Sequence, residues 1–84
     1  MAMTKTTAVA QMVKAATGRG TVIFNDRLRD GTRSLKVWGW TANDYTEAKK
    51  LLTLYGCDVK MVEETKFSER GGRYYTMRRL HVQE

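Results

Sequence analysis

The chain has 84 residues, enough for one small domain, 1–84, with one thin hydrophobic core. Hydrophobic residues make up 42% and charged residues 29%, a balance typical of globular proteins that argues against intrinsic disorder. The net charge of +6 favours polyanionic partners such as nucleic acid, although the same charge also simply keeps a small domain in solution.

Cys57 is the only cysteine, so neither an internal disulfide nor a cysteine zinc cluster can form. No stretch approaches the ~20 apolar residues of a membrane span. Gln11 and Lys14 interrupt the apolar N-terminal stretch that a signal peptide would need. We therefore expect a soluble, cytoplasmic protein with no membrane partner.

The segment 4–17 predicts a first helix, followed by Gly18 at the position of a C-cap glycine. Its apolar residues at helical spacing are Val9, Met12, Val13 and Ala16. The N-terminal part, 1–18, is expected either to dock on the domain or to be attached only loosely.

Residues 21–28 and 33–40 are rich in β-branched and aromatic residues and flank Asp30-Gly31, which favours a two-residue hairpin turn. That turn would pair Phe24 with Val37 and Ile23 with Trp38. The predicted core face carries Val22, Phe24, Leu28, Leu35 and Val37. The other face carries Ile23, Arg27, Lys36, Trp38 and Trp40.

The second helix has the clearest signals. Thr41 is a good N-cap, Asp44 stands where a capping box requires it, and Gly56 closes the helix. One apolar stripe runs along it, formed by Tyr45, Ala48, Leu51, Leu52 and Tyr55.

A second hairpin is predicted from strands over 57–66 and 73–82, joined at Gly71-Gly72. The pairing would set Glu64 opposite Arg79 and Arg70 opposite Arg73. Cys57, Val59 and Met61 share one side. Tyr74 and Tyr75 point to opposite faces, so one of them is expected in the core and the other in solvent.

The element order α-β-β-α-β-β predicts an α+β fold, with an antiparallel sheet of two hairpins and an amphipathic helix on one face. Catalytic groups are missing from the pattern. Cys57 and the only histidine, His81, could pair, but a buried cysteine and a surface histidine are the simpler interpretation. Glu63 and Glu64 are adjacent and point to opposite faces of a strand. We expect no enzyme, no catalytic residue, no cofactor and no metal.

Basic charge is concentrated in the hairpins. Residues 19–40 and 66–84 each carry five basic and two acidic residues, whereas 41–65 carries three basic and five acidic ones. Arginine binds phosphate and carboxylate bidentately, so these side chains are candidate contacts to nucleic acid or a partner protein. The alternative is a set of solvated strand faces. The candidates are Arg27, Arg29, Arg33, Lys36, Arg70, Arg73, Arg78 and Arg79.

Trp38 and Trp40 share a predicted face with basic residues, an arrangement that suits base stacking or a protein anchor. The alternative is that the first helix packs across this face and buries both rings against Val9, Met12 and Val13.

The stretch from Thr21 to Glu64, with its TANDYTEAKKLLTLYG helix followed by CDVKMVEE, resembles small phage-encoded inhibitors, including anti-CRISPR proteins, some of which are built as β-β-α-β-β. The resemblance covers about half the chain and rests on element order. It implies a non-catalytic protein that blocks a partner's surface. Many such inhibitors are acidic mimics of DNA, so a chain of charge +6 would target an acidic protein or a nucleoprotein instead.

We therefore expect a non-enzymatic binding protein of phage or mobile-element origin that engages a protein or nucleoprotein complex through its basic hairpins. The alternative is a regulator that binds DNA or RNA directly. A third interpretation is a structural module, with a homodimer formed through the apolar face of the first helix.

Overall fold

The computed structural model describes residues 4–84. It has two helices and four strands in the predicted order: α1 (Lys5–Thr17), β1 (Ile23–Arg27), β2 (Arg33–Val37), α2 (Ala42–Leu54), β3 (Asp58–Ser68) and β4 (Arg73–Gln83). The strands form one antiparallel sheet in the order β1-β2-β4-β3. The α+β fold is confirmed.

Both helices pack on the same face of the sheet. Buried side chains of α1 and α2 join those of β2 and β4 in one core: Val9, Ala10, Val13, Leu35, Val37, Trp40, Tyr45, Ala48, Leu52, Cys57, Leu80 and Val82. No helix among residues 4–84 covers the opposite face of the sheet. Neither α1 nor α2 is long and apolar enough to cross a membrane.

The first helix begins and ends as its sequence predicts. The hydroxyl of Thr4 accepts a hydrogen bond from the Thr7 amide, and the Gly18 amide donates to the Lys14 carbonyl oxygen at 2.9 Å. Helix α1 docks on α2 and on the first hairpin through its buried side chains. Met12, which was expected on this face, is 45% exposed.

The first hairpin turn is one residue longer than predicted. The Leu28 amide donates to the Thr32 carbonyl oxygen at 2.8 Å, so residues 29–31 form a three-residue loop. Gly31 takes the left-handed conformation, with φ of 87°, that such a loop requires at its last position.

The longer turn shifts the pairing by one residue and so reverses the faces of β1. Ile23 lies opposite Val37, and Phe24 lies opposite Lys36. Because side chains alternate along a strand, Ile23 packs against the core while Phe24 and Val22 point away from it. The prediction that Phe24 and Val22 belong to the core is wrong.

The second helix confirms the predicted capping box. The Thr41 hydroxyl accepts from the Asp44 amide at 3.3 Å, and an Asp44 carboxylate oxygen accepts from the Thr41 amide at 2.9 Å. The predicted apolar stripe is buried or half-buried except for Tyr55, which is 50% exposed at the end of the helix.

The second hairpin also has a longer turn than predicted, with residues 69–72 between Ser68 and Arg73. The register therefore shifts by two residues, which leaves the faces unchanged. Arg70 and Arg73 are not cross-strand neighbours. Glu64 lies diagonally to Arg79, whose guanidinium still reaches its carboxylate at 3.1 Å.

Much of the β3–β4 hairpin extends beyond the helices. Strand β2 pairs with β4 only from Arg33 to Leu35, so residues 63–78, here called the arm, have no strand neighbour beyond their own hairpin. Tyr74 and Tyr75 both lie on the arm and are 75% and 45% exposed. The expectation that one of them is in the core is wrong.

Candidate nucleic-acid interface

The sheet face away from the helices, here called the open face, presents aromatic rings on three adjacent strands. Phe24 lies on β1, Trp38 directly follows β2, and Tyr75 lies on β4. These side chains are 42%, 56% and 45% exposed. Large aromatic side chains left in water on a sheet face are available to stack on flat ligands.

Lys36 lies between these rings. Its Nζ is 5.3 Å from the centre of the Trp38 ring and 3.8 Å from Sδ of Met77. Lys36 also borders two hollows, one that includes Phe24 and Arg79 and another that includes Trp38 and Tyr75. Lys36 thus contacts the Trp38 ring, lies directly across from Phe24 in the ladder and borders the same hollow as Tyr75.

A groove separates the end of β2 from the arm because Tyr45 of α2 lies between them. The Tyr45 hydroxyl bonds to both the amide and the carbonyl oxygen of Val37. The groove has a volume of about 340 Å³, and Trp38 and Tyr75 are among the side chains that line it. A groove of this size accommodates a nucleobase or a peptide side chain.

Trp40 is not part of the open face. Its side chain is 9% exposed, its Nε1 donates to the Arg19 carbonyl oxygen at 3.1 Å, and its ring meets that of Tyr45 edge-on. Trp40 therefore offers no exposed ring face for stacking, although it contributes to the lining of the groove beside Trp38. The sequence also allowed the first helix to bury both tryptophans; Trp40 is buried in the core with Val9 and Val13, whereas Trp38 is exposed.

The predicted arginines are divided among several places. Arg33 forms an ion pair with Glu84, and Arg78 forms one with Glu63 on the helix side of the sheet. Arg79 lies on the open face and is paired with Glu64. Each of these three arginines already has a carboxylate partner within the fold.

The remaining arginines lie at opposite ends of the sheet. Arg27 and Arg29 are at the β1–β2 turn, whereas Arg70 and Arg73 are at the tip of the arm. The length of β4 separates the two turns by roughly 30 Å. The arginines of the two hairpins therefore do not form one continuous basic surface. Among these four, Arg73 is nearest to the exposed rings, because it lies on the open-face side of β4, two residues from Tyr75.

Phe24 and Tyr75 were not identified as site residues from the sequence. The two-residue turn assigned Phe24 to the core, and Tyr75 could not be distinguished from Tyr74. The only sequence signal for the turn length was Gly31, and it could not decide the face of Phe24, because glycine suits a two-residue and a three-residue loop equally.

Cys57 and His81 are on opposite faces. Cys57 belongs to the core, and burial raises the pKa of its thiol. His81 lies opposite Lys60 on the open face. This placement excludes the Cys57–His81 pair considered from the sequence. Within residues 4–84, no cluster of three or more His, Cys, Asp or Glu side chains is arranged to hold a metal ion.

Comparison of the chain with protein-family models, with curated proteins and with solved structures finds no match. The resemblance to small phage-encoded inhibitors stays a prediction that rests on element order.

Proposed function

We propose that this protein is a non-catalytic nucleic-acid-binding protein that holds a single strand on its open face. The observation that carries this proposal is the set of exposed rings on three adjacent strands, Phe24, Trp38 and Tyr75, with Lys36 between them. The direct regulator, rather than the inhibitor of a protein complex, is thus the function that the geometry favours.

A single strand suits this surface better than a duplex. The bases of a single strand are free to leave their stack and lie on aromatic rings, whereas those of a duplex are enclosed. Every base has a flat face, so we expect binding with little sequence preference. The strand would cross β1, β2 and β4, because these carry the rings.

Lys36 and Arg73 are the cations assigned to the phosphates. Neither has a carboxylate partner within 4.0 Å among residues 4–84, so each can bind an anion without first giving up an ion pair. Arg79 contributes less, because Glu64 already neutralises it at 3.1 Å.

The test is fluorescence anisotropy with a labelled oligo-dT of about 15 nucleotides at about 50 mM salt. Tyr75→Ala and Tyr74→Ala form a matched pair, since the two tyrosines are adjacent in sequence and on opposite faces of the arm. Loss of one stacking ring costs about 1–3 kcal/mol, so Tyr75→Ala should weaken binding about tenfold while Tyr74→Ala leaves it unchanged.

Two results would overturn the proposal: no binding by the wild-type chain at low salt, or equal loss in the two tyrosine variants. An inhibitor that acts on a nucleoprotein complex would give the first result. Recovery of a specific complex from a host lysate treated with nuclease would then favour the inhibitor.

A further inference from the structure

Strand β3 is a long edge with no neighbour on its outer side. It pairs with β4 along all eleven of its residues, and it is the last strand in the sheet order. Edge strands present unpaired amides and carbonyl groups that can accept another strand, and proteins usually shorten or cover them. Nothing among residues 4–84 pairs with this side of β3.

The outward-facing backbone groups of β3 can be identified from the ladder. The amide and carbonyl oxygen of Trp38 form hydrogen bonds on the β1 side of the sheet. Those of the preceding residue, Val37, therefore point the other way, towards β4, and bind the Tyr45 hydroxyl. The direction of these backbone groups alternates along a strand, and two residues that exchange hydrogen bonds point towards each other. The amide and carbonyl oxygen of Val62 therefore point towards β4, and those of Met61 and Glu63 point away from the sheet.

The charges on the open-face side of β3 are arranged symmetrically about Val62, with opposite signs at matching distances. Lys60 and Glu64 stand two residues to either side, and Asp58 and Lys66 stand four residues to either side. If β3 of a second copy paired antiparallel with this β3, with the two Val62 residues opposite each other, each of these charged side chains would lie opposite one of the other sign.

We propose that two copies of this chain associate by antiparallel pairing of their β3 edges, with Val62 on the twofold axis. Asp58 then lies opposite the partner's Lys66, and Lys60 lies opposite the partner's Glu64. Within each chain Glu64 already pairs with Arg79 and Lys66, so the contacts across the junction extend an existing network of charges. The symmetry repeats both contacts, so one face of the junction carries four opposite-charge pairs. Directly opposed charges of unlike sign stabilise paired strands.

Neighbouring registers with the same hydrogen-bond alternation are unfavourable. Centring the pair on Met61 sets Asp58 opposite the partner's Glu64. Centring it on Glu63 sets Lys60 opposite the partner's Lys66 and brings the two Glu63 side chains together. Like charges directly opposite each other destabilise paired strands, so the charge pattern selects the Val62 register.

The same pairing would cover apolar side chains that the single chain leaves in water. Phe67, on the helix side of the arm, is 53% exposed, and in this register it lies opposite Cys57 of the other copy. Cys57 follows the end of α2, where Leu54 and Tyr55 are 79% and 50% exposed. Phe67 would thus lie next to the exposed end of the other copy's α2.

The axis through Val62 is perpendicular to the sheet, because both Val62 side chains lie on the open-face side. The two sheets therefore merge into one, and both open faces point in the same direction. The association itself does not depend on nucleic acid, so it can be tested without any ligand.

The test is a charge exchange followed by sedimentation equilibrium over a range of protein concentrations at low salt. Asp58→Lys and Lys66→Asp should each weaken dimerisation at least tenfold, because each creates two like-charge contacts. The double variant D58K/K66D should restore it. Asp26→Lys, which makes the same charge change on the opposite edge strand, is the matched control and should not weaken it.

A second measurement does not depend on affinity. Because Val62 would form a non-hydrogen-bonded pair with its own copy, the two Cα atoms would be about 4.5 Å apart, close enough for a disulfide. Val62→Cys should give a covalent dimer on mild oxidation, whereas Lys60→Cys should not. A wild-type chain that is monomeric at every concentration, a double variant that stays monomeric, or equal crosslinking of the two cysteine variants would each overturn the proposal.

Discussion

The Tyr45 hydroxyl takes the place of a strand neighbour for Val37. It accepts a hydrogen bond from the Val37 amide at 3.0 Å and donates one to the Val37 carbonyl oxygen at 3.1 Å. A continued ladder would place Arg78 at this position, two residues beyond the Leu35–Leu80 pair. A side chain from α2 thus ends the pairing of β2 with β4 and opens the groove beside Trp38.

Replacing Tyr45 with Phe should destabilise the protein by about 1–3 kcal/mol, because it removes the partner of the buried Val37 amide. The Val37 carbonyl oxygen would keep only the long hydrogen bond, 3.5 Å, that the Trp40 amide donates to it. Urea denaturation of the variant and the wild type measures this difference. Tyr55→Phe, at a half-exposed position, is the control and should change stability very little. Equal stability of Tyr45→Phe and wild type would mean that water or β4 satisfies Val37 equally well.

The helices could be predicted closely from the sequence because their signals are local. Thr41 and Asp44 specify the start of α2 within four residues, and Gly18 marks the end of α1. Such contacts form within one turn of chain and do not depend on the rest of the fold.

The candidate site could be predicted only in part, because it depends on the pairing register of the strands and on how far the helices cover the sheet. Asp30-Gly31 marks a turn without fixing its length, and one extra loop residue moved Phe24 from the core to the open face. Trp38 and Lys36 kept their predicted face, whereas Trp40 turned into the core after the strand ended. Strand pattern alone does not indicate where the helices stop covering the sheet, and this decides the exposure of Tyr74, on the helix side of the arm.

The two tryptophans should differ in fluorescence, since Trp40 is 9% exposed and Trp38 is 56% exposed. Trp38→Phe should leave a blue-shifted emission that acrylamide quenches poorly. Trp40→Phe should leave a red-shifted emission that acrylamide quenches readily. If the proposed function holds, adding oligo-dT should change the emission of the wild type and not that of Trp38→Phe. A wild-type emission that is uniformly blue-shifted and protected would contradict the exposed placement of Trp38.

Gly20 and Gly31 should respond differently to alanine, although both have positive φ, at 112° and 87°. A Cβ on Gly20 would lie 2.9 Å from Nε1 of Trp40, whereas a Cβ on Gly31 would meet no atom within 4 Å. Gly31→Ala should therefore cost about 1–2 kcal/mol from backbone strain alone. Gly20→Ala should cost more and should also shift the Trp40 emission. Denaturant titration of both variants checks the order, and equal costs would mean that Trp40 moves aside freely.

Acid should destabilise the protein through Asp44. Its pKa lies at about 2, below the ordinary 3.8, mainly because the Arg19 side chain donates to it, while burial opposes this effect. A carboxyl whose pKa is lowered by folding stabilises the folded state above its unfolded pKa. That stabilisation is lost as pH falls from about 4 to about 2, because the unfolded chain binds the proton first.

Asp44→Asn isolates this contribution, because it retains the shape of the side chain and removes its charge. At neutral pH the variant should be less stable by about 1–2 kcal/mol, through loss of the charged hydrogen bonds to Arg19 and of part of the cap on α2. The difference in free energy of unfolding between wild type and variant should shrink as pH falls from 4 towards 2, since the unfolded wild-type chain then binds a proton at Asp44 while most of the folded chain does not. Glu47→Gln, on the exposed side of α2, should show no such convergence. A difference that stays constant down to pH 2 would show that Arg19 does not lower the pKa of Asp44.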